Sequence, residues 1–598
     1  MLEIIKELLF GGEPVTEQHG SKSQTPDPAP SHVVELAPLP TPLPMETTTG
    51  TPSRSSLQSE AESGGRPHVA QGGGLSQSLS ANLKALKQIF GTSADITYRP
   101  FVVGGLQLGA ALIYLDGMVD GPSINEFVLR PLMQRDQQLL AISQVQTDPL
   151  PSGVAVATNP LLLQIQHMLV FNGALAERTL FTQIVDDVLA GLTVLLIDTM
   201  DSALAIPLQG YEERSVSEPP TEALVRGPRD GFIESIRINM SLLRRKLKDP
   251  NLRMEIVRVG RRTNTEVAIC FIQDVANPKL VNEIRTRIKG IDIDGILESG
   301  YLEQIIEDHH FSPFPQIQNT ERADRAVANL LEGRVVVLVD GTPFCLILPS
   351  VFNQFYQAPE DYYERFLIAT MIRGIRIISL FFSLTFTSLY VALISFHAEM
   401  LPTKFAVAVA GGRAGVPFPS VAEAFFMELS MEILREAALR LPKAIGPTVS
   451  IVGALVIGEA SVRAGIVSPL MVIVVALTSI GSFAVPSYSA AIALRIVKFP
   501  IILAAGTFGL YGVMLAVIGL VVHLASLKSV GVPYLAPFAP MKPEDVKDTI
   551  FRLPLWAMTK RPATLRTQDA TRQPHAASLL GAENLGIEGE SGHGQPER

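Results

Sequence analysis

Apolar and polar positions are distributed differently along three parts of the chain. Before about residue 80 the sequence is rich in Pro, Ser, Thr and Gly, as in TPDPAPSHVVELAPLPTPLPMETTTGTPS. Too little apolar surface is present there to offset the entropy lost on ordering, so we predict a disordered N-terminal tether, residues 1–80. From NLKALKQIF to about Pro349, short apolar runs alternate with amphipathic helical patterns. Beyond Pro349 the apolar runs become long.

The middle part contains an internal repeat. Two pairs of segments align without gaps: ALIYLDGMVDGPSINEF (111–127) with AICFIQDVANPKLVNEI (268–284), and GLTVLLIDTMDSALAIP (191–207) with GRVVVLVDGTPFCLILP (333–349). The first pair predicts a buried strand, a turn and the start of a helix, and the second predicts two strands joined by a turn. We therefore predict two similar cytosolic α/β subdomains, residues 81–225 and residues 226–370.

The last part predicts a polytopic transmembrane helical domain, residues 371–535. Arg373 and Arg376 precede its first apolar stretch and place the start of that stretch on the cytosolic side. Four stretches are long enough to cross a hydrocarbon core of about 30 Å as helices. These are Ile377–Phe396, Ile445–Val467, Leu470–Leu494 and Phe499–Val522.

Four crossings would return the chain to the cytosol. A cytosolic membrane-proximal segment, residues 536–562, and a disordered tail, residues 563–598, would follow, so we expect both termini to be cytoplasmic. Arg495 and Lys498 would then face outward, against the tendency of basic residues to stay in the cytosol. An arrangement with five or six segments, or with re-entrant ones, therefore stays open.

Composition agrees with a membrane part joined to a soluble part. Hydrophobic residues make up 47% of the chain and charged residues 18%. The net charge of −9 argues against a nucleic-acid partner, because phosphate binding needs a basic surface. Cys270 and Cys345 are the only cysteines and lie within apolar runs, which excludes a disulfide framework and predicts buried thiols. The sequence has no Walker A, GxSxG, HExxH or paired CxxC motif, so we predict a protein that is not an enzyme and has no cofactor.

An acidic helix in the membrane part carries the first candidate site. The segment AEAFFMELSMEILREAALR places three glutamates one turn apart on one helix face: Glu428, Glu432 and Glu436. One interpretation is an interfacial helix whose acids are solvated and paired with Arg435 and Arg440. The other is a ring of acids that attracts cations once several subunits assemble. Both interpretations stay open.

Glu459 and Arg463 form the second candidate site. They stand four residues apart inside the otherwise apolar segment GALVIGEASVRAG. Charges at that depth are costly and usually face a protein interior or an aqueous path. A structural ion pair between packed helices and a place on an ion path stay open. With the three glutamates, these two residues form the predicted pore or ion path.

The stretch DHHFSPFPQIQNTERADR combines two histidines with acidic side chains, which are residue types that bind metals. A metal needs ligands that converge from fixed elements, whereas Pro313 and Pro315 impose an extended path. We interpret the stretch as a rigid connector without a metal, followed by a helix that Thr320 caps. We predict that Glu321 and Arg322, with the two prolines, form a subunit or interdomain contact.

A basic segment lies in the second predicted subdomain. Its sequence is SLLRRKLKDPNLRMEIVRVGRR, residues 241–262. It can contact anionic lipid headgroups. A solvated or inter-subunit face is the alternative.

From about Arg226 to Pro562 the chain closely resembles the A subunits of bacterial spore germinant receptors, the GerA family. The motifs occur in order and cover more than half of the chain. They are RGPRDGFIESIRINMSLLRRKLKDPNL, SPFPQIQNTERAD, LLEGRVVVLVDGTPFCLILP, HAEMLPT, VPFPS, IVGALVIGEASVRAGIVSPLMVIVVA and HLASLKSVGVPYLAPFAP.

The resemblance implies a protein of the spore inner membrane that works with a transporter-like B subunit, which binds the nutrient, and a lipoprotein C subunit. It also implies that A subunits form a homo-oligomeric ring and conduct monovalent cations when nutrient binds, which triggers germination. The chain departs from the pattern at three places. Family members usually carry proline at Ala323 and glutamine at Glu459, and His309 and His310 lie outside the pattern.

Three other functions are weighed against the receptor subunit. Paralogues encoded with the SpoVA dipicolinate channel share the architecture and would act as accessory ion channels that amplify germination. A secondary transporter would use a substrate site near Glu459, but transporters usually show internal symmetry in their membrane segments, whereas this repeat lies in the soluble part. A scaffold anchored by its helices would have no need of intramembrane charge.

Overall fold

The computed structural model of the protein describes residues 73–104, 106–134, 165, 175–210, 219, 221–441 and 446–573. Nearly all of the predicted tether and the part of the predicted tail beyond residue 573 lie outside these ranges.

Two five-stranded antiparallel sheets have the same strand order. The first is ordered β1-β2-β4-β5-β3 and the second β6-β7-β9-β10-β8. The strands of the first are β1 (Ile96–Val103), β2 (Leu108–Leu115), β3 (Ala176–Arg178), β4 (Thr193–Ile197) and β5 (Ala203–Ile206). Those of the second are β6 (Leu252–Val259), β7 (Thr265–Ile272), β8 (Gln318–Thr320), β9 (Val335–Val339) and β10 (Cys345–Leu348). The equal orders confirm the α/β repeat that the aligned segments predict, including the β4–β5 and β9–β10 hairpins.

Helices cover the two sheets and complete what we call the first and second α/β units. In the first unit, α1 (Leu79–Phe90) and α2 (Phe181–Leu189) pack on the sheet. In the second unit they are α3 (Ile236–Lys246), α4 (Pro278–Lys289), α5 (Ser299–Ile306) and α6 (Ala323–Leu331).

The second sheet is buried on both faces, because β9 and β10 are apolar and buried at every position and β7 is apolar and buried from Val267 to Ile272. On β7, Ala268 and Cys270 face the core formed with α3 and α6, whereas Val267 and Ile269 face the core formed with α4 and α5. Cys270 and Cys345 are buried in the same core and are not joined by a disulfide, as predicted.

The basic segment joins the two α/β units. Its buried arginines, Arg244 and Arg253, face neither lipid nor solvent. Arg244 Nε donates to Asp95 Oδ2 at 2.7 Å, and both side chains are buried. Arg244 also donates to Ser93 Oγ at 3.1 Å. Arg253 donates to the backbone carbonyl of Ile89 at 3.2 Å. Since Asp95, Ser93 and Ile89 belong to the first unit, these arginines fix one unit against the other.

Glu303 lies on α5, and Glu298 and Glu307 flank this helix at its two ends. The environment of Glu303 predicts a dependence of stability on pH. Burial, with the neighbouring carboxylates of Glu307 and Glu298, raises the pKa of Glu303 from 4.5 to about 8. Between these values the folded chain holds a proton that the unfolded chain has released, so stability is lost as the pH rises through this window.

We expect Glu303→Gln, which keeps a neutral side chain, to raise the melting temperature by about 2 °C at high pH and to leave it unchanged near pH 4. Thermal unfolding of the detergent-solubilised chain across this range measures the difference. Glu283→Gln is the matched control, because Glu283 is exposed on α4. Equal effects of the two substitutions at high pH would contradict the assignment.

The longer helices that follow β10 form the helical region. They are α7 (Phe366–Phe396), α8 (Thr403–Arg413), α9 (Ser420–Arg440), α10 (Gly446–Arg463), α11 (Pro469–Ser482) and α12 (Tyr488–Ser526). Within the part of the chain that the structure describes, α7 and α12 are long and apolar enough to cross a membrane. The predicted set of four spans is not confirmed. In particular, the predicted break between Leu494 and Phe499 is absent, because α12 continues through these residues.

The break in α12 lies at Gly509 instead. Its φ of 62° and ψ of −143° are non-helical. A Cβ on Gly512 would overlap the carbonyl oxygen of Ala504, although residues eight apart in a straight helix are separated by about 12 Å. Leu494 and Leu524, each fifteen residues from Gly509, lie in one core cluster. The chain therefore reverses at Gly509, and the second half of α12 runs back along the first.

A C-terminal strap, residues 536–573, packs back onto the second α/β unit. Gln568 N donates to the carbonyl of Val275 at 3.0 Å, and its side-chain amide donates to the carbonyl of Ala276 at 2.7 Å. Arg561 Nε donates to the carbonyl of Leu331 at 2.8 Å. The prediction that disorder begins at residue 563 is therefore wrong for residues 563–573.

The entry to α7 is fixed by a buried charge cluster. Arg373 donates to Asp361 at 2.8 Å and to Asp548 of the strap at 2.8 Å. Arg376 also pairs with Asp361, at 2.7 Å. The side chain of Arg373 is 0% exposed and that of Asp361 1%. This arginine therefore joins the helical region to the strap and to the end of the second α/β unit.

Candidate functional site in the helical region

A buried ion pair lies where four helices meet. Both carboxylate oxygens of Glu428 on α9 accept hydrogen bonds from Lys498 Nζ on α12 at 3.0 Å. Thr387 Oγ1 on α7 donates to Glu428 Oε1 at 2.8 Å, and Thr478 Oγ1 on α11 donates to the same oxygen at 3.3 Å. Glu428 is 6% exposed and Lys498 4%, so the single chain shields both charges from water.

Two buried charges cost free energy that this arrangement must offset. The attraction between them is strong in a medium of low dielectric constant, but the desolvation of each ion is of similar size. The threonine hydroxyls add hydrogen bonds to the carboxylate, which lower the cost of holding it away from water. A charge pair satisfied in this way among apolar helices either specifies their packing or serves function.

The next turn of α9 extends the network. Glu432 contacts Arg435 at 2.5 Å and Arg495 of α12 at 3.6 Å. The Arg435 guanidinium also lies over the Phe483 ring, 5.1 Å from its centroid. Counted with the Glu428–Lys498 pair, three cationic side chains face two carboxylates at the contact of α9 with α12. The network therefore carries one positive charge in excess.

A second buried carboxylate of α9, Glu423, lies near the start of the helix. Glu423 Oε1 accepts a hydrogen bond from Arg413 Nη2 on α8 at 3.0 Å. Its other oxygen accepts from the backbone N–H of Ser468 at 2.9 Å. Ser468 is the residue before the first turn of α11, so Glu423 fixes the start of that helix against α9.

The three glutamates predicted on one helix face lie in three environments. Glu428 is buried, the Glu432 side chain is 39% exposed, and that of Glu436 is 58% exposed and pairs with Arg440 at 2.6 Å. The interpretation as solvated acids is wrong for Glu428, because four helices enclose it, and describes Glu436. The ring of acids requires several subunits and stays a prediction.

Glu459 and Arg463 form the expected pair on α10, at 2.5 Å. Their side chains are 54% and 79% exposed. Within the single chain the pair therefore does not join packed helices, and a structural pair between helices of different subunits stays a prediction. Its place on an ion path stays a prediction.

Sequence reasoning missed the partners that enclose Glu428. The sequence pattern places Lys498 between two predicted spans, facing outward, and predicts no role for Thr387, Thr478 or Glu423. The signal that could have identified them is a polar side chain inside an apolar helical stretch, where an unsatisfied group is costly.

The connector residues lie inside the second α/β unit. Arg322 is buried and donates to Asp324 at 2.9 Å and to the carbonyl of Pro228 at 2.7 Å. Glu321 is buried, and its backbone carbonyl accepts from Phe232 N at 2.7 Å. These contacts reach the segment that joins the two units, which fits an interdomain contact. A direct subunit contact through the two side chains is wrong for this conformation, because the chain itself covers them.

The prolines and the threonine of the connector have separate environments. Pro313 is exposed and Pro315 is buried. Thr320 ends β8 and does not cap a helix, because α6 begins at Ala323 with Arg322 in the N-cap position.

Comparisons with known proteins agree over most of the chain. The sequence profile of the family described as "Bacillus/Clostridium GerA spore germination protein" matches residues 84–564. Spore germination protein KA from Bacillus subtilis (strain 168) is 44% identical over 522 residues, which are 86% of this chain and 92% of that protein. Spore germination protein GerLA from Bacillus cereus is 41% identical over 501 residues, 84% and 98% of the two chains.

A solved structure also aligns with part of the chain. It is the crystal structure of the N-terminal domain of the A subunit of the Bacillus megaterium spore germinant receptor GerK3. The alignment covers 47% of this chain and 98% of that one, with 35% identity and a TM-score of 0.36. The family match, by contrast, includes both sheets and the helical region. The chain therefore belongs to the GerA family of spore germination proteins.

Proposed function

We propose that this protein is the A subunit of a spore germinant receptor, and that its helical region oligomerises in the spore inner membrane into a gated path for monovalent cations. The observation that supports the proposal is the Glu428–Lys498 pair, enclosed by α7, α9, α11 and α12. A helix bundle that served only as an anchor would have no need to bury charge at this depth.

The network corresponds to a closed state in this proposal. Lys498 neutralises Glu428, and the positive charge in excess at the contact of α9 with α12 repels cations. Separation of α9 from α12 would free the carboxylate to attract a cation. The stimulus would come from a transporter-like B subunit and a lipoprotein C subunit and reach α7 through the Arg373 cluster.

Ion flux through the purified full chain in liposomes tests the proposal. We expect oligomers that release trapped potassium, and we expect Glu428→Gln to change the rate by about tenfold, which corresponds to about 1.4 kcal/mol at the barrier. Glu544→Gln is the control, because Glu544 is an exposed residue of the strap that pairs with the exposed Lys560 at 3.4 Å.

Two results would count against the proposal. If the chain is strictly monomeric and passes no ions, the channel function is excluded and a scaffold is the remaining interpretation. An oligomer whose flux is unchanged by Glu428→Gln keeps the channel but removes this pair from its path.

A further inference from the structure

Phe311 is the most exposed large apolar side chain of the second α/β unit, at 103% of its reference area. The chain on both sides of it is fixed. His310 Nδ1 lies 2.9 Å from the carbonyl of Gln304 on α5, and Asp308 accepts from Gly531 N at 3.1 Å. Ser312 Oγ lies 2.9 Å from His523 Nε2 on α12. The exposure of Phe311 is therefore built into an ordered connector.

These contacts set the position of Phe311 along α12. His523 is in the last turn of this helix, and its ring centroid is 6.2 Å from that of Phe314. Phe314 is buried in the same core cluster as Leu524 and Tyr534. Phe311 directly precedes Ser312 and is consequently at the level where α12 ends.

An apolar stripe on the second half of α12 leads to the same level. Large apolar side chains are exposed along it at successive turns, at half or more of their area. They are Tyr511, Met514, Leu515, Ile518, Val521 and Val522. Spacing of three and four residues places them on one side of the helix, where a membrane helix contacts lipid. The stripe stops at Val522, beside His523.

Helix α5, which the connector contacts through His310 and Gln304, carries two further exposed apolar side chains. Tyr301 and Ile305, one turn apart, are 44% and 40% exposed. The reversal at Gly509 returns the chain to the side of the helical region where α7 begins. The predicted positive-inside orientation makes this the cytosolic side.

We propose that Phe311, together with the exposed Ile305 and Tyr301 of α5, inserts into the cytosolic leaflet at the boundary of headgroups and acyl chains. The inference rests on the proposed membrane location of the helical region. An aromatic side chain exposed at the end of a lipid-facing stripe matches the position of the aromatic belts of membrane proteins. The contact would hold the second α/β unit at a fixed height against the bilayer.

Quenching of tryptophan fluorescence by lipids with brominated acyl chains tests this contact. Trp556 is the only tryptophan, so Trp556→Phe provides a background for single-tryptophan variants. In vesicles, we expect emission from Phe311→Trp to fall about twofold when brominated lipid replaces normal lipid. Val102→Trp is the matched control, because Val102 is 54% exposed on β1 of the first α/β unit and should show no quenching.

Tyr511→Trp, on the α12 stripe, separates the possible failures. Quenching at position 511 but not at 311 would overturn the lipid contact and keep the membrane location. Absence of quenching at both positions would overturn both. If the tryptophan background does not fold, Phe311→Cys labelled with bimane in nitroxide-lipid vesicles gives the same comparison, since Cys270 and Cys345 are buried. Cross-linking of that cysteine to a second copy, without lipid quenching, would also overturn the proposal.

Discussion

Replacing Lys498 by methionine is expected to lower the free energy of unfolding of the helical region by about 3–5 kcal/mol. The substitution leaves the Glu428 carboxylate buried with only two hydroxyl donors, Thr387 and Thr478. Thermal unfolding of the full chain in detergent measures the loss. Lys404→Met is the matched control, because Lys404 is exposed on α8 and the same substitution there removes no buried pair.

A second substitution distinguishes a lost pair from poor packing. Adding Glu428→Leu to Lys498→Met should recover most of the stability, since no charge is then buried. Thr478 can keep its hydrogen bond to the carbonyl of Val475, at 3.0 Å. If the single variant costs no more than Lys404→Met, or the double variant is no more stable than the single one, the pair does not have the role assigned to it.

Replacing Arg373 by methionine is expected to cost a similar amount, about 3–5 kcal/mol, and to release the strap. Asp361 would keep Arg376, but Asp548 would lose its only ion pair among the residues that the structure describes. Limited proteolysis should then cut the strap at a lower protease concentration, and the melting temperature should fall. Arg373→Lys should give an intermediate result, because an ammonium cannot bridge two carboxylates with the geometry of a guanidinium.

Arg365→Met serves as the control for this experiment, because Arg365 is exposed one residue before α7. If Arg373→Met left the strap as resistant to protease as Arg365→Met does, the coupling between the strap and α7 would have to be abandoned.

The sheets could be predicted from the sequence because their signals are local. Apolar runs of strand length, turns such as Asp340–Gly341 and the gapless repeat each depend on residues close together in the chain. Gly341 has the positive φ, 87°, that such a turn favours in glycine. The register of β9 with β10 follows from the same short segment.

The site could be predicted only in part because its contacts are distant in sequence. The spacing of Glu428 and Glu432 on one helix is visible, but Lys498 lies 70 residues away. The charge of Lys498 favours a break between two spans at residues 495–498. Pairing with Glu428 allows Lys498 to stay inside α12. The break in α12 occurs at Gly509. The sequence around Gly509 does not distinguish it from the other glycines of apolar helices.

The burial of the connector residues could not be predicted from the sequence either. Its polar residues predicted a contact, and Arg322 does make one, with the carbonyl of Pro228. Hydropathy alone cannot say that an arginine is covered by its own chain, since burial depends on the segments that fold over it.

The strap changes how movement can pass through the molecule. The polypeptide leaves the second α/β unit after Leu348 and returns to it at Val530, which is buried in the core formed with α4 and α5, and the strap keeps contact with the unit as far as Gln568. The helical region is therefore topologically an insertion within that unit. Such an insertion is attached at two points, the entry of α7 and the exit of α12. It cannot rotate as freely as a domain attached by a single linker. A rotation of the second α/β unit must therefore act on both ends of the helical region at once. Such a rotation couples α7, its first helix, to α12, its last.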